Sequence, residues 1–111
     1  MDPRSDPAAT FILDLVSEAC GVSCRAMCGA AFGTREVSSA RHLAMYLMNV
    51  MLGWKMGAVG LVFRRTRPAV RYGCACVEDR RDDPEFDALV SSLEEKIQQE
   101  LAGDHHVEPT A

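Results

Sequence analysis

The densest run of chemistry-bearing side chains is Arg64-Arg65-Thr66-Arg67, with Arg71 following one helical turn after Arg67. Guanidinium groups at this spacing suit anion binding. They can contact phosphate oxygens or hold a guanine edge through two parallel N–H bonds. Thr66 is a natural helix cap, because its hydroxyl can accept from a backbone N–H two or three residues on. Pro68 then falls in the first turn, where a missing N–H costs little, and Ala69 follows it. The opening turn of such a helix also presents backbone N–H donors to a phosphate. Upstream, Lys55 to Phe63 places Met56, Val59, Gly60 and Phe63 on one side of a short helix. Two short helices joined by a tight turn at Arg64-Arg65, the second opening with basic residues, describe a helix-turn-helix. In that motif the second helix, here Thr66 to about Arg80, enters the major groove of duplex DNA with its N-terminal residues leading.

Other reactive residues give weaker patterns. Cys20, Cys24 and Cys28 recur every four residues, and Cys74 and Cys76 stand two apart. A structural metal site needs four converging ligands, and neither group has C-x-x-C spacing. Gly21 also interrupts the helix between Cys20 and Cys24. These cysteines read as small buried thiols, although a thiol near Arg71 could have a lowered pKa. His105 and His106, with Asp104 and Glu108, read as a solvated tail. There is no supported Ser-His-Asp set, no convincing carboxylate pair and no phosphate-cradling glycine loop with a lysine. The expectation is a non-enzyme with no cofactor, no metal and no nucleotide.

Charge is unevenly distributed along the 111 residues. The formal total is −4, from 12 basic and 16 acidic side chains. Yet Gly21 to Arg81 contains ten basic residues against Glu36, Glu78 and Asp79, whereas Asp82 to Ala111 contains nine acidic residues and only Lys96. A basic centre between acidic ends fits a small nucleic-acid binder, and equally a solvated surface. Hydrophobic residues at 48% and charged residues at 25% exclude wholesale disorder and a fibre. The longest apolar stretch, Leu43 to Val62, is interrupted by Asn49, Gly53, Lys55, Gly57 and Gly60, so it is a poor membrane span. The N-terminus lacks an apolar signal core, and the cysteine count is odd. Both point to a reducing cytoplasm, with nucleoid association if the chain binds DNA.

Helical periodicity dominates the rest. Phe11, Ile12, Leu15, Val16 and Ala19 predict a helix from about Thr10 to Gly21. Ser23 can cap a second, short helix through Ala31. Thr34 can cap a third, whose apolar stripe runs from Val37 through Leu43, Leu47 and Met51 to a stop at Gly53. Met45, Met48, Met51 and Met56 read as core filling. Trp54 sits at the turn that follows, over the core or near a phosphate. Asp83-Pro84 ends the arginine-rich helix. A last helix from about Glu85 to Leu101 follows, its Glu94, Glu95 and Glu100 read as a solvated face. The predicted fold is all-α, a bundle of about six helices, with residues 10–102 as the domain and flexible tails at 1–9 and 103–111.

Two segments carry a family resemblance. These are Glu36-Val-Ser-Ser-Ala-Arg-His-Leu-Ala-Met-Tyr-Leu and Gly60-Leu-Val-Phe-Arg-Arg-Thr-Arg-Pro-Ala-Val-Arg-Tyr-Gly-Cys. The chain from about Thr10 to Leu101 resembles the C-terminal DNA-binding domain of the bacterial replication initiator DnaA, a helical bundle with a Trp-repressor-type helix-turn-helix. The continuation Val77-Glu-Asp-Arg-Arg-Asp-Asp-Pro-Glu-Phe-Asp is similar to stand-alone, alphaproteobacterial-type members that lack the ATPase part. The resemblance implies phosphate contacts at Arg41, which matches the arginine of the family's "AR" pair, at the neighbouring His42, and at Arg35 in the basic loop before that helix. With one gap in the turn, Arg65 and Thr66 fall on the "RD" of "GRDHTTV" and Arg67 on its histidine. That implies base or backbone contacts in the major groove.

Departures from the family pattern bear on specificity. Pro68 and Ala69 replace the paired threonines, and Thr66 replaces an acid that accepts from a base amino group. Gly33 stands where the initiator carries a minor-groove arginine, Asn49 where some members carry a phosphate-binding lysine, and Gly57 where they have proline or a polar residue. Each lost base contact removes about 1–3 kcal/mol of discrimination. The expectation is specific or semi-specific binding of double-stranded DNA in replication control or transcriptional regulation. Arg65, Arg67 and Arg71 would face the groove and phosphates, Arg35, Arg41, His42 and Lys55 would clamp the backbone on either side, and Arg64, Thr66, Pro68 and Ala69 complete the expected DNA-binding set. The alternative is a degenerate domain that has lost DNA binding and docks a protein partner, through the methionine-rich region or the arginines.

Overall fold

The computed structural model describes residues 2–29 and 33–107, the last five of these by their backbone alone. Among the described residues there are six α-helices, one 3-10 turn and no strand. The helices are α1 (Pro7–Cys20), α2 (Cys24–Cys28), α3 (Arg35–Leu52), α4 (Met56–Phe63), α5 (Arg67–Arg80) and α6 (Pro84–Val107), and the 3-10 turn covers Pro3–Ser5. The all-α bundle expected from periodicity is the observed fold.

Helix α3 is the central post. Its stripe Ala40, Leu43, Ala44, Leu47 and Met48 is buried. It packs against α1 on one side and α5 on the other, and α4 closes over both α3 and α5. Helix α6 lies against α1 and α3 through Phe86, Val90, Leu93 and Ile97. Met45 and Met48 are core residues, with Met51, Met56 and Trp54 partly buried against them. Removing this apolar surface from water is the main force that assembles the short helices, which are too short to persist alone.

Helix ends follow the capping residues. Ser23, Thr34 and Thr66 each accept from a backbone N–H three residues on, at 3.1, 3.2 and 3.3 Å. Gly21 and Gly53 close α1 and α3 in the left-handed conformation. Asn49 Nδ2 donates to the Trp54 carbonyl at 2.8 Å and so fixes the α3–α4 turn.

Several helix boundaries differ from the sequence reading. Helix α1 begins at Pro7, three residues before Thr10, because Asp6 accepts from the Ala8 and Ala9 N–H groups at 2.8 and 3.3 Å and Pro7 opens the first turn. The segment read as a loose tail therefore holds a 3-10 turn, with Ala9 buried. Helix α2 ends at Cys28 with Gly29 as its C-cap, and Ala31 lies outside the described residues. Helix α6 starts on Pro84 and its backbone continues past Leu101 to Val107. One glycine does not stop a helix already propagating. The side chains of His105 and His106 lie outside the described residues.

Among the described residues, no helix is long and apolar enough to cross a membrane.

Candidate nucleic-acid interface

The α4–α5 turn is built on one close approach. Gly60 of α4 lies so near the Arg65 carbonyl that a Cβ there would overlap that oxygen. The Gly60 carbonyl accepts from the Arg65 N–H at 3.0 Å, and also from the Arg64 N–H. To turn this tightly the chain puts Arg64 in the left-handed region, at φ 57° and ψ 47°. For an L-residue that conformation costs about 1–2 kcal/mol. Thr66 then caps α5, with Arg67 and Pro68 in its first turn.

This turn sets the cations out on one surface. Lys55, Arg64, Arg67 and Arg71 are exposed around an open depression. Met56, Gly57, Ala58, Gly60, Leu61 and Thr66 line the rest, and no carboxylate is among the lining residues. The Arg67 side chain lies across α4, where a Cβ on Gly57 would stand 3.1 Å from Arg67 Nε. Gly57 thus makes room for the guanidinium. Ala69, at the start of α5, is half-buried, and Pro68 is exposed beside Arg67.

The backbone of α5 adds less than expected. Pro68 has no N–H, and the Ala69 and Val70 N–H groups go to the Thr66 side chain and carbonyl. Anion binding therefore falls to the cationic side chains.

Arg65 is arranged differently from its neighbours. Its Nη1 donates to the carbonyls of Phe63 at 2.9 Å, Gly29 at 3.2 Å and Arg64 at 3.4 Å. It ties the turn to the end of α2, although it borders the same depression. Sequence reasoning placed its guanidinium in the groove. The close carbonyls of a positive-φ turn hold it back.

Arg41 departs furthest from expectation. It is 3% exposed, and its Nε donates to the Met27 carbonyl at 2.7 Å. Burial and the nearby Arg65 charge push its pKa down. A side chain enclosed between α2 and α3 is not placed as a phosphate clamp. His42 is half-buried and meets the Tyr72 ring edge-on at 5.8 Å. It also lies against Gly73, closing the α3–α5 crossing. Burial first, then Arg41 and Arg80, lower its pKa, which favours the neutral ring. Arg35 is exposed, but it shares a separate depression with His42, Ser38, Ser39, Asp79 and Arg80. The fold thus divides the candidate set into the α4–α5 face, a second patch holding Arg35 and His42, and the buried Arg41.

Two departures from the family pattern gain physical reasons. Gly33 has φ +73°, and a Cβ there would come within 3.1 Å of Val37, so the backbone entering α3 favours glycine. Asn49 serves the α3–α4 turn, as described above.

Two residues escaped the sequence reading. Arg4 reaches the same depression from the 3-10 turn, which packs on α4. The Asp-Pro pairs Asp2-Pro3 and Asp6-Pro7, each a cap followed by a first-turn proline, were the available signal. Arg81 is a half-buried hub. It donates to Asp87 at 2.6 Å and to Tyr46 Oη, Glu94 and Ser91 at 3.0 Å each. Asp87 foremost raises its pKa. Glu94, read as part of a solvated face, is thus an anchor of α6.

The five cysteines are free thiols, but only Cys74 is buried as the sequence pattern suggested; Cys20 is exposed at the end of α1, and Cys24, Cys28 and Cys76 are half-buried. Burial is the leading cause of raised pKa at Cys20, Cys24, Cys28 and Cys74, and at Cys74 the Glu78 charge raises it further, so no lowered pKa appears there. Among the described residues no three His, Cys, Asp or Glu side chains gather closely enough to hold a metal ion.

Residues 9–77 match the family described as bacterial dnaA protein helix-turn-helix, a span that holds α4, the turn and α5 as far as Val77.

Proposed function

Since the chain belongs to the bacterial DnaA helix-turn-helix family, a family of DNA-binding domains, we propose that it binds duplex DNA through the α4–α5 face and acts in replication control or transcriptional regulation. One observation carries this reading: Lys55, Arg64, Arg67 and Arg71 are exposed on one surface with no carboxylate among its lining residues. Cations so placed release condensed counterions when they meet phosphates, which supplies sequence-independent affinity. Arg67, at the first position of α5, is the side chain best placed for a guanine edge, and Lys55, Arg64 and Arg71 are phosphate contacts.

Specificity follows from what α5 offers. Pro68 and Ala69 supply no hydroxyl, and Thr66 is engaged as a cap. Recognition is therefore semi-specific, with Arg67 as its main determinant.

The test is fluorescence anisotropy with random-sequence and DnaA-box duplexes across a salt series. Three phosphate contacts predict a slope of log affinity on log salt of about −3. A flat salt dependence, or no binding at low salt, overturns the reading.

A further inference from the structure

The DNA-facing surface has a contributor outside the helix-turn-helix. The 3-10 turn Pro3–Ser5 packs on both α1 and α4. Its placement is fixed from both ends. Asp2 caps the turn by accepting from the Arg4 N–H at 3.0 Å, and the Asp6 N–H donates to the Pro3 carbonyl at 3.3 Å as Asp6 in turn caps α1. Pro3 and Pro7 restrict the backbone on either side. The exposed Arg4 side chain therefore stands at the rim of the depression that Lys55, Arg64, Arg67 and Arg71 surround.

Arg4 has an acidic neighbour there. Its Nη2 lies 3.3 Å from Asp2 Oδ2, and its Nε lies 3.4 Å from Asp2 Oδ1. Both side chains are solvent-exposed. The arrangement resembles an arginine–phosphate contact, with a carboxylate in the anion's place. An exposed pair of this kind is readily exchanged.

Resting on the DNA-binding reading above, we propose that the Asp2–Ser5 segment is an ordered extension of the duplex-binding face, in which Arg4 contacts a backbone phosphate and Asp2 competes with that phosphate for the guanidinium. The extension adds affinity without sequence information, because the contact is to phosphate alone. It also widens the footprint past the helix-turn-helix on the α4 side.

Two substitutions separate the parts. Arg4→Ala removes the phosphate contact and the side-chain pair with Asp2 but leaves the N-terminal cap, because the capping bond comes from the Arg4 backbone N–H. Asp2→Asn keeps a cap acceptor and removes the competing charge. In anisotropy titrations on a random duplex, Arg4→Ala is expected to weaken binding several-fold at low salt and to reduce the salt slope by about 1. Asp2→Asn is expected to tighten binding about threefold, and far less in the Arg4→Ala background. Arg71→Ala serves as the control for the face itself. If Arg71→Ala weakens binding while Arg4→Ala changes neither affinity nor slope, the extension is refuted and the α4–α5 reading stands. If Asp2→Asn tightens binding equally with and without Arg4, competition for that guanidinium is refuted. If neither Arg4→Ala nor Arg71→Ala matters, the face itself is misassigned and the extension falls with it.

Discussion

Six arginines of this chain form two groups that behave differently. Around α4 and α5, Arg64, Arg67 and Arg71 stand at the surface around an open depression. In the second group, each engaged by other parts of the chain, Arg41 is buried against the Met27 carbonyl, the half-buried Arg65 is tied to three carbonyls, and the half-buried Arg81 holds α6 through Asp87, Glu94, Ser91 and Tyr46. The residue type is the same, and in sequence the two groups interleave. What separates them is the register of each side chain on its helix or turn. A charge total over Gly21 to Arg81 thus overstates the cation available to a ligand. Exposure on the α4–α5 face is the better guide to that charge, since Arg65 clusters there in sequence and is nevertheless engaged by carbonyls.

The comparison breaks most severely at Gly60. Gly60→Ala drives a methyl into the Arg65 carbonyl, and backbone cannot yield as a side-chain tip can. A loss of about 3 kcal/mol in urea unfolding is expected, with duplex affinity falling as the turn opens. An unchanged midpoint would show that the close approach is not needed.

The inner group comes next. Arg41→Ala and Arg81→Ala should each cost about 2 kcal/mol of stability, since each strands polar groups that the guanidinium satisfied. Duplex affinity of the folded protein should stay close to the parent's. For the outer group the pattern reverses. Arg67→Ala and Arg71→Ala should each lower affinity by about 1 kcal/mol, roughly fivefold, and move stability by less than about 0.5 kcal/mol. Arg67→Ala should also alter preference between sequences. If an inner substitution weakens binding without unfolding, or an outer one unfolds the chain, the division is wrong.

Arg64 sharpens the boundary, because it belongs to the turn and to the surface at once. Arg64→Gly should raise stability by about 1 kcal/mol by relieving the left-handed backbone. The same change should weaken duplex binding.

The smallest effect concerns His42. Burial and the Arg41 and Arg80 charges disfavour its protonated form in the folded state. The unfolded chain, titrating near the ordinary value of 6.5, binds the proton more readily. Stability is therefore full above that pH and declines as pH falls through it. Thermal midpoints between pH 7 and 5 should drop more for the parent than for His42→Asn, and equal drops would remove the histidine from the account.

Much of the fold was legible because its signals are local. Ser23, Thr34 and Thr66 as caps, Gly21 and Gly53 as stops, and the stripe from Ala40 to Met48 act within a turn or two of where they stand. The site was legible only in part. Lys55, Arg67 and Arg71 follow from being at or near the ends of α4 and α5. The enclosure of Arg41 depends on α2 crossing α3, fourteen residues away in sequence. Arg81 depends on acids and a tyrosine from α6 and α3, and Arg4 on a 3-10 turn folding back onto α4. Such placements arise from packing between distant segments, and no short-range pattern encodes them.

The most direct test is to follow backbone amide resonances while a short duplex is titrated into the isotope-labelled protein. The account predicts shifts concentrated from Lys55 to Tyr72 and at Arg4, with the amides of α6 from Glu85 to Leu101 nearly still. Shifts centred on α6 or α1, or none at any duplex concentration, would contradict it.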